Sequence, residues 1–200
     1  TIKLENKHFP VLLKEIISII SPLYGGTFID CTFGQGGYSK KILEKKNNKV
    51  IAIDRDSAVY LYSKELENKY KNRFNFQNIK FSEINKIKVN TNDLRAIIFD
   101  LGYSTIQIKD LSKGLSFQSK GKLNMQMGLN NFSCHEVILN MNEGNLNKIF
   151  KFFGDEIYSK KIARQIIEVR KKKIIDTETL TEIIDKVKKF KNYKRNNSTK

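Results

Sequence analysis

Apolar positions in the first hundred residues alternate between two spacings. Val11-Leu12-Leu13-Lys14-Glu15-Ile16-Ile17-Ser18-Ile19-Ile20 carries its apolar residues at helical intervals and stops ahead of Pro22, which predicts a helix. Short apolar runs follow at Thr27-Phe28-Ile29-Asp30, Val50-Ile51-Ala52-Ile53-Asp54, Phe74-Asn75-Phe76 and Ala96-Ile97-Ile98-Phe99-Asp100. Each is of strand length, and three of them end in a carboxylate. Between them, Tyr38 to Lys46 and Ser57 to Tyr70 return to helical spacing. Strands alternating with helices predict an α/β fold, a parallel sheet covered on both faces.

Beyond Gln107 the pattern changes. Ser112 to Gly128 has scattered Gly and Ser without a period and reads as loop, and from Ser133 onward the chain reads as helical. Asp155 to Arg170 is expected to form one helix, with Ile157, Ile162, Ile166 and Val169 on a single stripe, acids in its first turn and Lys171-Lys172-Lys173 at its end. Thr179-Leu180-Thr181-Glu182 has the form of a capping box for a last helix.

Composition narrows the class. Two hundred residues allow one ordinary domain, or a core with an insertion. No run of about 18 apolar residues occurs, so no membrane-spanning helix is expected. Cys31 and Cys134 stand alone without CxxC spacing, which points to neither a zinc site nor a disulfide framework, and the expected location is cytoplasmic. A net charge of +16 suits a polyanionic partner, since Lys and Arg displace the counterions condensed on phosphates. An AT-rich coding bias toward Lys, Asn, Ile and Phe is a second source of that excess. From Lys186 to Lys200 there are seven basic residues and no acid, either a solvated end or a clamp for RNA.

The candidate chemistry gathers at the strand ends. Gly34-Gln35-Gly36-Gly37 sits between a strand and a helix, where glycines let backbone approach a ligand. The third glycine of a dinucleotide fingerprint is Ser39 here, and Asp30 would repel a pyrophosphate while favouring a cationic group, or else merely caps the loop. Asp54 has the position from which a carboxylate accepts both hydroxyls of a ribose, and the bland alternative is a partner for Arg55 or a helix cap. Phe81 is expected either to pack on an adenine or to lie in the core. Asp100 is the best-placed acceptor for an amine held in line with a methyl donor, or else contacts only the cofactor.

Several segments, taken in order, resemble one family. They are His8-Phe9-Pro10-Val11-Leu12-Leu13-Lys14-Glu15, Asp30-Cys31-Thr32-Phe33-Gly34-Gln35-Gly36-Gly37-Tyr38-Ser39 and Ala52-Ile53-Asp54-Arg55-Asp56. Asp100-Leu101-Gly102-Tyr103-Ser104-Thr105-Ile106-Gln107, Lys113-Gly114-Leu115-Ser116-Phe117 and Leu123-Asn124-Met125-Gln126-Met127 continue the series. Phe153-Gly154-Asp155-Glu156, Ile162-Ala163-Arg164-Gln165-Ile166-Ile167 and Arg170 complete it. Together they resemble the small-subunit (16S) rRNA cytosine-N4 methyltransferases, the RsmH or MraW family. The resemblance implies a class I S-adenosylmethionine-dependent methyltransferase, a Rossmann-like sheet interrupted by a helical insertion that helps hold RNA. Residues 1–108 would be the N-terminal part of the cofactor-binding core, and 109–200 the mainly helical, RNA-binding insertion. It implies cofactor contacts at Gly36, Gly37, Tyr38, Asp54, Phe81, Asp100 and Gln107, with Asp100 catalytic and no metal. The implied cofactor is S-adenosyl-L-methionine, and the implied partner is small-subunit rRNA or the small ribosomal subunit, with no membrane.

The chain departs from the family pattern at Tyr38, where His is usual, at Tyr103, where Val is usual, and at Lys113-Gly114-Leu115, where Arg-Gly-Phe is usual. The usual Leu-Asp-Met-Arg-Met reads Leu123-Asn124-Met125-Gln126-Met127, which removes a potential charge pair on the substrate side. These departures keep open an alternative, a catalytically weakened or inactive rRNA-binding relative. His8 is expected to order the N-terminal segment, and His135 to be structural or exposed. The tail Asn196-Asn197-Ser198-Thr199-Lys200 resembles the start of the family's next motif, so the chain is expected to be C-terminally truncated, with one sheet edge unfinished.

Overall fold

The computed structural model describes residues 10–103, 107–108, 110–116, 119 and 121–192. The chain divides into two compact units, Thr1–Thr105 with Met127–Leu129, and Ile106–Gln126 with Asn130–Lys200. The first holds four strands, β1 (Gly26–Asp30), β2 (Asn48–Ile53), β3 (Phe74–Gln77) and β4 (Leu94–Ile98), and three helices, α1 (Leu13–Ile20), α2 (Gly37–Leu43) and α3 (Tyr60–Tyr70). The strands are all parallel in the order β3-β2-β1-β4, so the order reverses between β1 and β4. This is the Rossmann-like α/β architecture expected from the alternating pattern.

The register explains why the strand runs are continuously apolar. Phe28 lies opposite Val50 and Ala96, and Ile29 opposite Ile51 and Ile97, so successive side chains leave on opposite faces. On one face Phe28, Val50, Ala52, Phe74 and Ile98 pack with Ile42 and Leu43 of α2 and Leu66 of α3. On the other, Ile29, Ile53 and Cys31 pack with Ile87, and Ile79, Ile84 and Val89 close around them. This second face is covered by the 3₁₀ stretch Phe81–Lys86 and its flanks rather than by an α-helix, and Ile97 of β4 remains 44% exposed there.

The second unit holds α4 (Cys134–Asn140), α5 (Glu143–Phe152), α6 (Ser159–Arg170) and α7 (Thr177–Asn192). Its core is Leu123, Ile138, Leu146, Ile162, Ala163, Ile166, Ile175 and Ile183. Ser133 caps α4 in a capping box with Glu136, the arrangement the pattern put at the wrong helix. The last helix starts two residues earlier than Thr179, and Asp176 caps it by accepting the Thr179 N–H at 2.8 Å. The helix expected over Asp155–Arg170 starts at Ser159, because Asp155 takes a left-handed φ of 47° and Glu156 turns the chain by accepting the Tyr158 N–H at 2.9 Å. Ile157 therefore leaves the apolar stripe and is 83% exposed. Among the described residues no helix is long and apolar enough to cross a membrane. His8, Ser104, Thr105, Ile106, Phe117 and the tail beyond Asn192 lie outside the described residues.

Candidate active site at the carboxyl ends of the strands

Three carboxylates meet the C-terminal end of the sheet on either side of the point where strand order reverses. Asp30 is the last residue of β1, Asp54 follows β2 directly, and Asp100 lies two residues past β4. The opposite end of the sheet is basic. There a cleft of about 770 Å³ is lined by Lys49, Lys71, Arg73 and Lys88 among other residues. Asp93 also lines that cleft, so its four cations face one acid there, against three acids at the other end.

Asp30 is fully buried and serves the scaffold. The Ser39 hydroxyl donates to it at 2.7 Å and the Thr32 N–H at 3.3 Å, which ties the strand end to the loop and to α2. Burial outweighs these bonds and pushes its pKa up to about 6. Any effect of Asp30 on a ligand therefore passes through the loop and not through direct contact. Cys31, beside it, is buried, and burial together with Asp30 pushes its thiol up to about 11.

Asp54 accepts the Gly34 N–H on one oxygen and the Asp56 N–H on the other, both at 2.9 Å. Its carboxylate thus grips the glycine loop. Burial, partly offset by these bonds, holds its pKa above the ordinary carboxylate range. The structure gives Asp54 no role as a cap; Asp56 does that, accepting the Ala58 N–H at 3.0 Å.

Asp100 is fastened to β1 by a residue the sequence reading passed over. Its N–H donates to Thr32 Oγ1 at 2.8 Å, bridging the reversal point between β1 and β4. No local pattern betrays that bond, since its two ends are 68 residues apart. Tyr38 is buried in the core, and its hydroxyl donates to the Val11 carbonyl. Burial first, then the charges of Asp100 and Asp30, push its pKa up, which places the phenol in the field of both carboxylates.

The loop glycines are also constrained by the fold. Gly36 has a left-handed φ of 75°, and a Cβ there would fall 2.7 Å from the Phe33 ring. Gly37 opens α2 against Pro10. Packing within the protein requires glycine at both, while Gly34, with φ of 53°, has open space beside it. Phe81 is 41% exposed and meets Phe99 edge-on at 5.8 Å, so it is not a core residue. Gln107 is buried and belongs to the second unit. Gly128 lies at the end of the stretch expected to be loop. It turns with φ of 60° against Arg55, whose carbonyl accepts the Leu129 N–H at 3.1 Å, and a Cβ there would strike that carbonyl.

A family model described as the MraW methylase family matches residues 5–200. The chain belongs to that family. Three curated relatives carry the name "Ribosomal RNA small subunit methyltransferase H". That of Orientia tsutsugamushi (strain Ikeda) is 40% identical over 195 residues, 97% of this chain and 62% of the relative. That of Ehrlichia canis (strain Jake) is 39% identical over 198 residues, 96% of this chain and 67% of the relative. That of Rickettsia bellii (strain OSU 85-389) is 36% identical over 198 residues, 98% of this chain and 65% of the relative. The chain thus spans between three fifths and two thirds of the length of these relatives.

Two positions in the segments that resemble the family have local structural roles. Arg170 is a helix cap, its guanidinium donating to the carbonyls of Ile138 at 2.7 Å and Met141 at 2.6 Å at the end of α4. Asn124, where the family's Asp is usual, accepts the Gln126 N–H at 3.1 Å in a local turn. An Asp would make the same bond, so the local fold survives the loss of charge.

Proposed function

We propose that this protein is an S-adenosylmethionine-dependent methyltransferase that methylates the N4 amine of a cytosine in small-subunit rRNA. The observation that carries the reading is the set of strand-end carboxylates around the glycine loop, with Asp54 bonded to Gly34 and Asp100 to Thr32. Family membership supports it, as do the names its relatives carry.

The residues present fit that cofactor. Asp54 would meet the ribose from the end of β2, and the space beside the Gly34 α-carbon is open. Phe81 and Phe99 offer a half-exposed aromatic surface suited to an adenine. The carboxylates attract a sulfonium and repel a phosphate, which disfavours a dinucleotide. Gly36, Gly37 and Tyr38 would hold the loop in shape, and Gln107 remains a candidate contact from the family match. The cofactor would supply an electrophilic methyl group.

Asp100 would do the chemical work of the protein. The lone pair of a cytosine amine is delocalised into the ring, so the amine is a poor nucleophile. A carboxylate accepting its N–H bonds orients that lone pair and stabilises the positive charge that develops on nitrogen. The target base must be unpaired, because a paired amine is already engaged. A cytoplasmic setting and association with rRNA or the small subunit belong to the same proposal. Asn124 and Gln126 favour a second reading, a relative that holds rRNA without methylating it.

Titration calorimetry with S-adenosylmethionine tests the first step. Wild-type binding should weaken at least about a hundredfold in Asp54→Ala, the expected loss of hydrogen bonds to a charged acceptor. Methyl transfer to undermodified small subunits follows, with Asp100→Asn as the inactive comparison. No cofactor binding by folded protein would end the enzyme reading. Binding without transfer, restored by Asn124→Asp with Gln126→Arg, would establish the second reading.

A further inference from the structure

The second unit contains a cleft of about 390 Å³ that the methyl-transfer residues do not use. Buried Ile138 and Ile175 line it, while Leu139 and Ile174 stand on its walls 51% and 76% exposed. Arg170, Lys171, Lys172 and Lys173 form its cationic side, where the last turn of α6 runs into the bend before α7. The Arg170 guanidinium is committed to two carbonyls, and Lys171 to Glu168 at 2.9 Å. Lys172 and Lys173 make no salt bridge among the described residues.

Two features must be explained together. An Ile and a Leu left on the surface beside the same hollow favour a ligand with a flat apolar face. Lys172 and Lys173 lie in the field of Glu168 and Asp176 but form no ion pair with either among the described residues, and their charge beside that hollow favours an anionic ligand. A small inorganic anion would use the lysines and ignore the walls. A purely apolar ligand would use the walls and leave the lysines idle. A nucleotide in a single strand uses both, because its base face is bare and its phosphates lie on either side. A duplex offers the phosphates but hides the base faces.

We propose that this cleft seats an unstacked nucleotide of single-stranded RNA, its base against Leu139 and Ile174 and its flanking phosphates against Lys172 and Lys173. The choice of RNA as the polyanion rests on the proposed function. The residues named play no part in holding the cofactor.

Fluorescence anisotropy with labelled single-stranded RNA of about twelve nucleotides, within the range one such binding surface spans, tests it on the whole chain. A fully paired RNA duplex of the same length is the comparison. Leu139→Ser with Ile174→Ser should weaken single-strand binding about tenfold and leave its salt dependence unchanged, since it removes contact with the base. Lys172→Gln with Lys173→Gln should weaken binding and flatten the log–log salt slope by about 1.4, the value for two phosphates on a single strand. Both pairs are exposed, so thermal melts should match wild type. Binding that is absent in wild type, equal for the duplex, or unchanged in the Ser pair would overturn the proposal. Calorimetry with S-adenosylmethionine on the same preparations separates the two claims. Cofactor binding with cleft-independent RNA binding sinks only the cleft, and cleft-dependent RNA binding without cofactor binding sinks only the enzyme.

Discussion

Asp30 is a carboxylate that the fold holds at a cost. Its pKa in the folded protein is about 6, above the ordinary value of 3.8, so the folded state keeps the proton more tightly than the unfolded chain. Stability contributed by this residue is therefore full at low pH, falls as pH rises from about 4 to about 6, and stays low above that. The loss is about 3 kcal/mol across the window. Asp30→Asn keeps an acceptor for the Thr32 N–H and a polar partner for Ser39 without the charge. Urea unfolding of both proteins at several pH values should show the variant gaining on wild type through this window. Parallel curves would mean that Asp30 is not held in its neutral form. That so costly a residue closes the first strand was legible as a strand-end Asp. Its burial was not, because burial depends on α2 folding back over it.

At the scale of elements, one bond pair decides how α4 and α6 are joined. Arg170 ends α6 and supplies donors to two carbonyls at the end of α4, which would otherwise lack partners. Arg170→Met keeps the bulk of the stem and removes both charge-assisted bonds. It should cost about 2–3 kcal/mol, seen as a lowered melting temperature, with Arg170→Lys intermediate. A melt unchanged in the Met variant would show that water replaces both bonds at no cost. Helix α6 itself was legible from the spacing of Ile162 and Ile166, but its start was not. The apolar period continues through Ile157, and only the left-handed turn at Asp155 throws that residue outward.

Across the whole molecule the charge is uneven in kind as well as amount. A formal +16 coexists with a sheet whose C-terminal end gathers Asp30, Asp54 and Asp100. On the proposed function, RNA and a cationic cofactor would meet surfaces of opposite charge. Association with RNA should weaken steeply as salt is raised from about 50 to about 200 mM, by a factor set by the phosphates engaged. Binding of S-adenosylmethionine, governed by hydrogen bonds at short range, should change little over the same span. Anisotropy and calorimetry run in the same buffers check the contrast, and a shared salt dependence would contradict it.

What the sequence determined by itself was what short-range physics encodes. Strand-length apolar runs, the intervening helical periods and the carboxylates at strand ends each depend on neighbours within about ten residues. They sufficed for the parallel α/β sheet and for placing Asp54 and Asp100 at its carboxyl end. Only the tertiary structure decided the contacts between residues distant along the chain. Thr32 holds Asp100, Gly128 turns against Arg55, Pro10 excludes a side chain at Gly37, and the second sheet face is closed by a 3₁₀ segment. The same holds for the cleft beside Lys172 and Lys173, since Leu139 and Ile174 meet there only after α4 and α6 pack. Periodicity tells which side of an element is apolar, and packing alone tells which of those sides finds a partner.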